Sequence, residues 1–316
     1  MVMNGSNLDQ LKDYAERDYA DYWKQGRHMD IVKEQESRIV SSLLPPSEGW
    51  FADFGSGAGR FVPECRRDKR RHILVDYALG AIQQGCAAYP NDELWGVSAD
   101  IGRLPFRDSV ISGAIAVRLI QNSDNPLPLL KEMHRVLRPG AHLVLSYFNR
   151  RSLMRLLRFG LRCFKVTHVF EHKAAWGNMC GTHPQYFKEL VSHAGYDMVG
   201  RSFGSGFSYQ ITNNSSISRL LLEKSKGLQN ILSGINSSVD SYLGSRELSL
   251  WQFVLLRKPG SLNGATTMDS HNIVDLLKCP SCGREDFLKE AGKITCRGCR
   301  MQFRKDGPVF DMLVND

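Results

Sequence analysis

Two groups of residues in this 316-residue chain have the types and spacing to do chemistry. The first is Cys279-Pro280-Ser281-Cys282 with Cys296-Arg297-Gly298-Cys299, two Cys-x-x-Cys pairs separated by thirteen residues. Each such turn brings two thiolates to one point, and two turns close a tetrahedron around a single zinc ion, which is the spacing of a zinc ribbon. An ion held by four thiolates has no open position for Lewis-acid work, so Cys279, Cys282, Cys296 and Cys299 read as a structural Zn2+ site. The second group is Asp53-Phe54-Gly55-Ser56-Gly57-Ala58-Gly59, a glycine-rich turn that follows hydrophobic Trp50 and Phe51 and precedes an expected helix. Glycines there let the backbone turn with positive φ and let a ligand approach the main chain without meeting a Cβ.

Two more carboxylates extend the second group. His72-Ile73-Leu74-Val75 ends in Asp76, where the second strand of a doubly wound sheet places an acceptor for both ribose hydroxyls. Leu94 to Val97 is a further strand-like run, and Asp100 follows it. Three acidic residues at strand ends form a nucleoside pattern. Position 60 is arginine, where a pyrophosphate-binding Gly-x-Gly-x-x-Gly turn requires its last glycine, and this argues against NAD or FAD.

The elements that must position these residues follow from periodicity. From 49 to 147 the pattern alternates strand and helix, so a parallel sheet with helices on both faces is expected and ligands should lie at the carboxyl ends of its strands. Residues from about Leu8 to Leu44 carry helical periodicity up to the Pro45-Pro46 break. Gly260 to Ser270 is rich in Ser, Gly, Thr and Asn and reads as a linker.

The motifs together resemble class I S-adenosylmethionine-dependent methyltransferases of the small-molecule branch. The first motif and the acidic end of the second strand agree with that family. So do Leu104-Pro105-Phe106 with Asp108, the strand Ala114 to Val117, and above all Glu132-Met133-His134-Arg135-Val136-Leu137-Arg138-Pro139-Gly140 before Leu143 to Ser146, with Ala141 where the family has a second glycine. The resemblance covers about 50 to 258. It implies an α/β fold with a Rossmann-like seven-stranded sheet whose last strand, Leu250 to Pro259, is antiparallel. It also implies S-adenosylmethionine as cofactor, with Asp53, Gly55, Ser56, Gly57, Gly59, Asp76, Tyr77, Asp100 and Ile101 around it, and an N-terminal helical lid carrying Tyr14, Tyr19, Tyr22 and Trp23, of which Tyr22 would touch the cofactor. The tail from Ile273 to Leu313 resembles the small zinc-binding proteins that partner translation-related methyltransferases, although Asp306-Gly307-Pro308-Val309-Phe310-Asp311-Met312-Leu313 departs from their terminal motif. The resulting organisation is a lid over 1–48, a methyltransferase domain over 49–258, a linker over 259–272 and a zinc-ribbon domain over 273–316. Metal removal is then expected to unfold the tail while the central domain keeps its cofactor.

The acceptor is less defined. Methyl transfer from a sulfonium needs positioning above all, and if the acceptor is a hydroxyl or carbon acid a base helps. His183, beside Pro184, is the first candidate, ahead of His168 and His172, and Arg118 and Asn122 after the fourth strand are expected to face the acceptor. Arg60 reads as a helix-surface residue and His134 as a packing or surface residue. The segment Asn149 to Lys173 sets seven basic residues against one acid on an apolar helical pattern, which suits an anionic or amphiphilic acceptor or a membrane surface. A small metabolite, glycan or lipid-like acceptor is the preferred reading. An RNA or protein acceptor docked by the ribbon is the alternative, and a non-catalytic binding module is a third.

Composition adds bounds. No apolar run approaches the ~20 residues of a membrane span, and Met1 to Gln10 lacks the pattern of a signal peptide, so a cytosolic location is expected. Cys65, Cys86, Cys163 and Cys180 read as ordinary reduced thiols. Formal charge is +8; four thiolates and a divalent ion would bring it to +6, with Lys278, Arg284, Lys293, Arg297, Arg300, Arg304 and Lys305 offsetting the local negative charge.

Overall fold

The computed structural model describes residues 27–66, 70–90, 93–152, 181–204, 242, 248–261 and 270–314. The aromatic residues of the expected lid, His168, His172, Cys163, Cys180 and most of the basic segment after Ser152 lie outside the described residues.

The central strands are β1 (Gly49–Phe54), β2 (Arg70–Asp76), β3 (Leu94–Ser98), β4 (Ile111–Ala116) and β5 (Leu137–Phe148), all parallel where they pair. Their runs are apolar on both faces because helices cover both, and Trp50, Phe51, Ala52 and Phe54 are all buried. The helices are α1 (Arg27–Leu43), α2 (Val62–Cys65), α3 (Leu79–Ala88), α4 (Leu127–Val136) and α5 (Pro184–His193). Beyond β5 come β6 (Asp197–Gly204) and β7 (Trp251–Arg257), and β7 lies between β5 and β6, antiparallel to both. The order β3-β2-β1-β4-β5-β7-β6 differs from a dinucleotide-binding sheet by this inserted antiparallel strand.

The sheet does not stop at β3, and this corrects the expectation of seven strands beside a separate ribbon. The cysteine-bearing tail forms β8 (Phe287–Glu290), β9 (Lys293–Cys296), β10 (Gln302–Asp306) and β11 (Val309–Asp311), and β11 pairs in parallel with β3 to make one eleven-stranded sheet. Gly96 N donates to Pro308 O at 3.1 Å and Met312 N to Ser98 O at 2.8 Å. The physical reason is the open edge: β3 would otherwise present a row of unpaired backbone groups. Gly96 makes the junction possible, since a Cβ there would lie 2.3 Å from Ile82 Cγ2 and 3.1 Å from Val309 Cγ2.

The tail also shares the core. Ile273, Leu276, Leu277, Phe287, Phe303, Phe310 and Met312 belong to the same buried cluster as Trp50, Val97, Ile101, Phe106 and Leu130. Arg107 N donates to Leu276 O at 2.8 Å and Lys278 N to Pro105 O at 3.0 Å, so the loop after β3 is stitched to the tail from both sides. On the opposite flank, α1 places Ile39 and Val40 in a second cluster with Phe51, Trp251 and Phe253. No helix among the described residues is long and apolar enough to cross a membrane.

Candidate cofactor site and cysteine cluster

The glycine turn leaves β1 and wraps the carboxyl end of β2. Gly55, Gly57 and Gly59 have φ of +72°, +52° and +73°, values that favour glycine. Gly55 N donates to Val75 O at 2.8 Å, and Ser56 N reaches the same oxygen at 3.2 Å. Gly57 N donates to Asp76 Oδ2 at 2.8 Å while Ala78 N donates to Asp76 Oδ1 at 2.9 Å, so the buried Asp76 carboxylate fixes both the turn and the start of α3. Each of its oxygens accepts one of these bonds.

Asp53 and Asp100 flank it at the ends of β1 and β3. Asp100 accepts from Gly102 N at 2.7 Å and caps the short 3-10 turn that carries buried Ile101. Tyr77 presents its carbonyl to the Ser98 hydroxyl at 3.3 Å, and Ser56 is buried in the turn itself. Asp53 is 2% exposed and its Oδ2 has no hydrogen-bond partner among the described residues. Burial pushes its carboxyl up to about 8; Arg60 opposes the shift, and the Asp76 and Glu64 carboxylates add to it. Thus the residues expected around a nucleoside do converge, except Tyr22, which lies outside the described residues.

Glu36 is the functional-region residue that sequence reading missed. It is fully buried on α1, and its Oε2 accepts from Arg60 at 2.6 Å while its Oε1 accepts from Arg118 Nε at 2.9 Å and Nη2 at 2.6 Å. Burial alone would raise its carboxyl, but the guanidiniums of Arg118 and Arg60 outweigh burial and hold it below the usual range. Arg60 is therefore not a helix-surface residue. It joins the cofactor turn to α1, with its guanidinium also 4.1 Å from the Phe61 ring centroid. The only legible signal for Glu36 was a lone acid at the i+4 position from Val32 on an apolar face.

The residues expected to face the acceptor lie beyond β4. Arg118 has φ +59°, a conformation uncommon for any residue with a Cβ, and three contacts hold it: its N–H donates to Ser146 Oγ at 2.8 Å, its guanidinium binds Glu36, and it stacks 4.5 Å from the Trp251 ring. Asn122 Nδ2 donates to Arg118 O at 3.3 Å. His183 sits beside the carboxyl end of β5, because Thr182 N donates to Phe148 O at 2.8 Å and Arg150 N to Thr182 O at 3.0 Å. It is exposed and caps α5, its Nδ1 accepting from Gln185 N at 3.3 Å. His134 packs as expected, its ring edge-to-face with Tyr196 at 4.9 Å.

The four cysteines meet. Their sulfurs all lie within 4.8 Å of one another, with Cys279 to Cys299 at 3.6 Å and Cys282 to Cys296 at 3.5 Å. Metal–sulfur bonds of ~2.3 Å in a tetrahedron set sulfurs about 3.8 Å apart, so this donor set has the size and chemistry for one zinc ion. Backbone bonds shape both turns: Gly283 N donates to Cys279 O at 2.9 Å and Gly298 N to Cys296 Sγ at 3.3 Å. Cys279 and Cys296 are buried and Cys282 and Cys299 exposed. Three of the neighbouring cations have carboxylate partners: Lys278 pairs with Asp108 at 3.6 Å, Arg297 with Asp286 at 3.5 Å and Lys293 with Glu290 at 3.6 Å.

Residues 52–145 match a family described as a methyltransferase domain. The chain is 30% identical over 191 residues to the biotin biosynthesis bifunctional protein BioHC of Teredinibacter turnerae, covering 54% of this chain and 31% of that protein. It is 24% identical over 151 residues to a malonyl-(acyl-carrier protein) O-methyltransferase of Marinomonas sp., covering 47% of this chain and 56% of that protein. It is 28% identical over 93 residues to a Chlamydia trachomatis demethylmenaquinone methyltransferase, covering 29% and 41%. The chain thus spans between about a third and just over half the length of these curated relatives. Among solved structures, an S-adenosylmethionine-dependent methyltransferase from Thermotoga maritima superposes with a TM-score of 0.51 at 15% identity, covering 80% of this chain and 99% of the other. A chain of the complex between the Haloferax volcanii Trm112 methyltransferase activator and a methyltransferase gives 0.51 at 16% identity, covering 77% and 99%. Residues 52–145 thus match a methyltransferase domain, and the sheet that contains them has the fold of S-adenosylmethionine-dependent methyltransferases.

Proposed function

We propose that the chain transfers a methyl group from S-adenosylmethionine to a small, anionic or amphiphilic acceptor, and that the cysteine cluster holds one structural zinc. The observation that carries the first part is the convergence of a positive-φ glycine turn with Asp53, Asp76 and Asp100 at the ends of three adjacent parallel strands. The residues present fit the cofactor. Asp53 Oδ2 is a buried acceptor with no donor among the described residues, and an α-ammonium is a donor of the right charge. Asp76 would accept from the ribose hydroxyls, Asp100 and Ile101 would border the adenine, and Ser56 and Tyr77 would complete the rim.

The bound cofactor supplies an activated methyl on a sulfonium. The protein's part is to hold the acceptor in line and to exclude water. His183, with Nδ1 engaged in capping, would take the acceptor's proton through Nε2.

One finding favours a small acceptor over RNA or protein: the relatives are named for small or carrier-bound substrates, a malonyl group and demethylmenaquinone. Incubating the protein with methyl-labelled cofactor and cell extract tests this: label should appear in the small-molecule or lipid fraction. Label confined to RNA or protein would reverse the choice of acceptor. Elemental analysis should find one zinc per chain, and protein purified without chelator that contains none would remove the metal.

A further inference from the structure

Of the three strand-end carboxylates, Asp53 is the one with a buried oxygen that finds no donor among the described residues. Asp76 accepts from two backbone N–H groups and Asp100 from one. The charged groups that face Asp53 are Arg60 on its own turn, Asp76 at the end of β2 and Glu64 on α2. Arg60 is bound to Glu36, which also holds Arg118, so the cation nearest Asp53 is already matched to another carboxylate. Two neighbouring acids, a guanidinium engaged elsewhere and nearly complete burial all favour the neutral form of Asp53.

We infer that Asp53 is a neutral acid in the cofactor-free protein and loses its proton to solvent when the cofactor's α-ammonium arrives, so that cofactor binding near neutral pH releases a proton. The balance is simple: the O–H bond of the acid breaks, its electron pair stays on the carboxylate, and an N–H of the ammonium then donates to that oxygen. An opposite charge at hydrogen-bond distance favours the ionised form. The inference rests on the cofactor reading above and adds to it a coupling between affinity and pH. With a carboxyl raised to about 8, about nine in ten Asp53 side chains carry a proton at pH 7.

The test is calorimetric titration of the full chain with S-adenosylhomocysteine, which keeps the ammonium, in buffers of different ionisation enthalpy. Between pH 6 and 7 the probe's own amino group stays largely charged. About 0.9 proton should leave per molecule bound at pH 7, and the dissociation constant should weaken about tenfold from pH 7 to pH 6. Asp53→Asn should bind more weakly, without proton release and with the pH dependence flattened. Wild-type binding with no buffer dependence and equal affinity at both pH values would overturn the inference, as would an Asn variant that still releases the proton. The wild-type arms stand alone should the variant not fold. An absence of binding at either pH strikes the cofactor reading itself and this inference with it, whereas binding without proton release strikes only the inference.

Discussion

The two halves of the candidate site are built differently. On the cofactor side, at the ends of β1, β2 and β3, the decisive bonds join residues close in the sheet and carried by short motifs, such as Gly57 N to Asp76 Oδ2. On the acceptor side, at the ends of β4, β5 and β7, the decisive bonds are long-range: Glu36 reaches Arg118 across 82 positions, and Arg118 stacks on Trp251. The cofactor half is a set of backbone turns that a ligand completes, while the acceptor half is a buried ion cluster that is complete without one. The difference teaches that the first half should respond to ligand and pH, and the second mainly to the loss of packing partners.

The largest expected effect would break this contrast from outside the site. Because β11 is a strand of the main sheet and the tail shares its core, chelation or Cys296→Ser should do more than unfold residues beyond Ile273. It should also uncover the β3 edge beside Asp100 and weaken cofactor binding, rather than leaving the central domain untouched as the sequence alone led one to expect. Protease mapping with cofactor titration, before and after metal removal, checks this. A central domain that keeps full affinity would show that the two units are energetically separate despite the shared sheet.

Next in size is Glu36→Ala, which leaves Arg60 and Arg118 buried without their anion. Breaking a buried ion cluster costs ~3–5 kcal/mol, to be read from urea denaturation. Glu36→Gln should cost less, since its amide oxygen still accepts from one guanidinium. A smaller effect is expected of Gly96→Val, whose side chain would collide with Ile82 and Val309; overpacking of this kind costs about 1–3 kcal/mol. If that variant is as stable as wild type, the β3–β11 junction is looser than the geometry indicates.

The smallest effect, taken over the single pH unit below neutrality, is a pH dependence. His72 is buried against Phe51, and burial, with Arg66 and Arg70 nearby, lowers its pKa to about 3. Its folded value lies below the unfolded one of ~6.5, so the unfolded chain binds the extra proton between them. Stability from this group is therefore complete above about pH 6.5 and falls by up to ~1.4 kcal/mol per pH unit as pH drops toward 3. Asp53 acts with the opposite sign. Its folded value of about 8 lies above the unfolded one, so it stabilises the cofactor-free protein more at low pH. The His72 contribution is accordingly the difference in slope between wild type and His72→Gln, and identical slopes would remove it.

Much of the cofactor half was legible because local rules dictate it. Strand-end acids and a glycine turn are short motifs, and Asp53, Asp76 and Asp100 stand where the spacing put them. The antiparallel course of β7 came from the resemblance rather than from a local motif. Glu36 was not, since nothing within a few residues of it announces two arginines that lie far along the chain. The β3–β11 pairing was hidden for a different reason: β11 is three residues long, too short for a period-two pattern, and a Gly/Ser-rich stretch before it suggested a detached tail. Arg60 was misplaced because its position in a motif was read without the helix that folds back onto it.

The most direct test of the account is equilibrium binding of S-adenosylhomocysteine to the full chain and to Asp76→Ala. The account predicts one molecule bound per chain, no comparable affinity for NAD, and a loss of ~1.5–3 kcal/mol in the variant, the worth of hydrogen bonds to a charged acceptor, or about 10- to 150-fold in the dissociation constant. Unchanged affinity in Asp76→Ala, or equal binding of NAD, would contradict it.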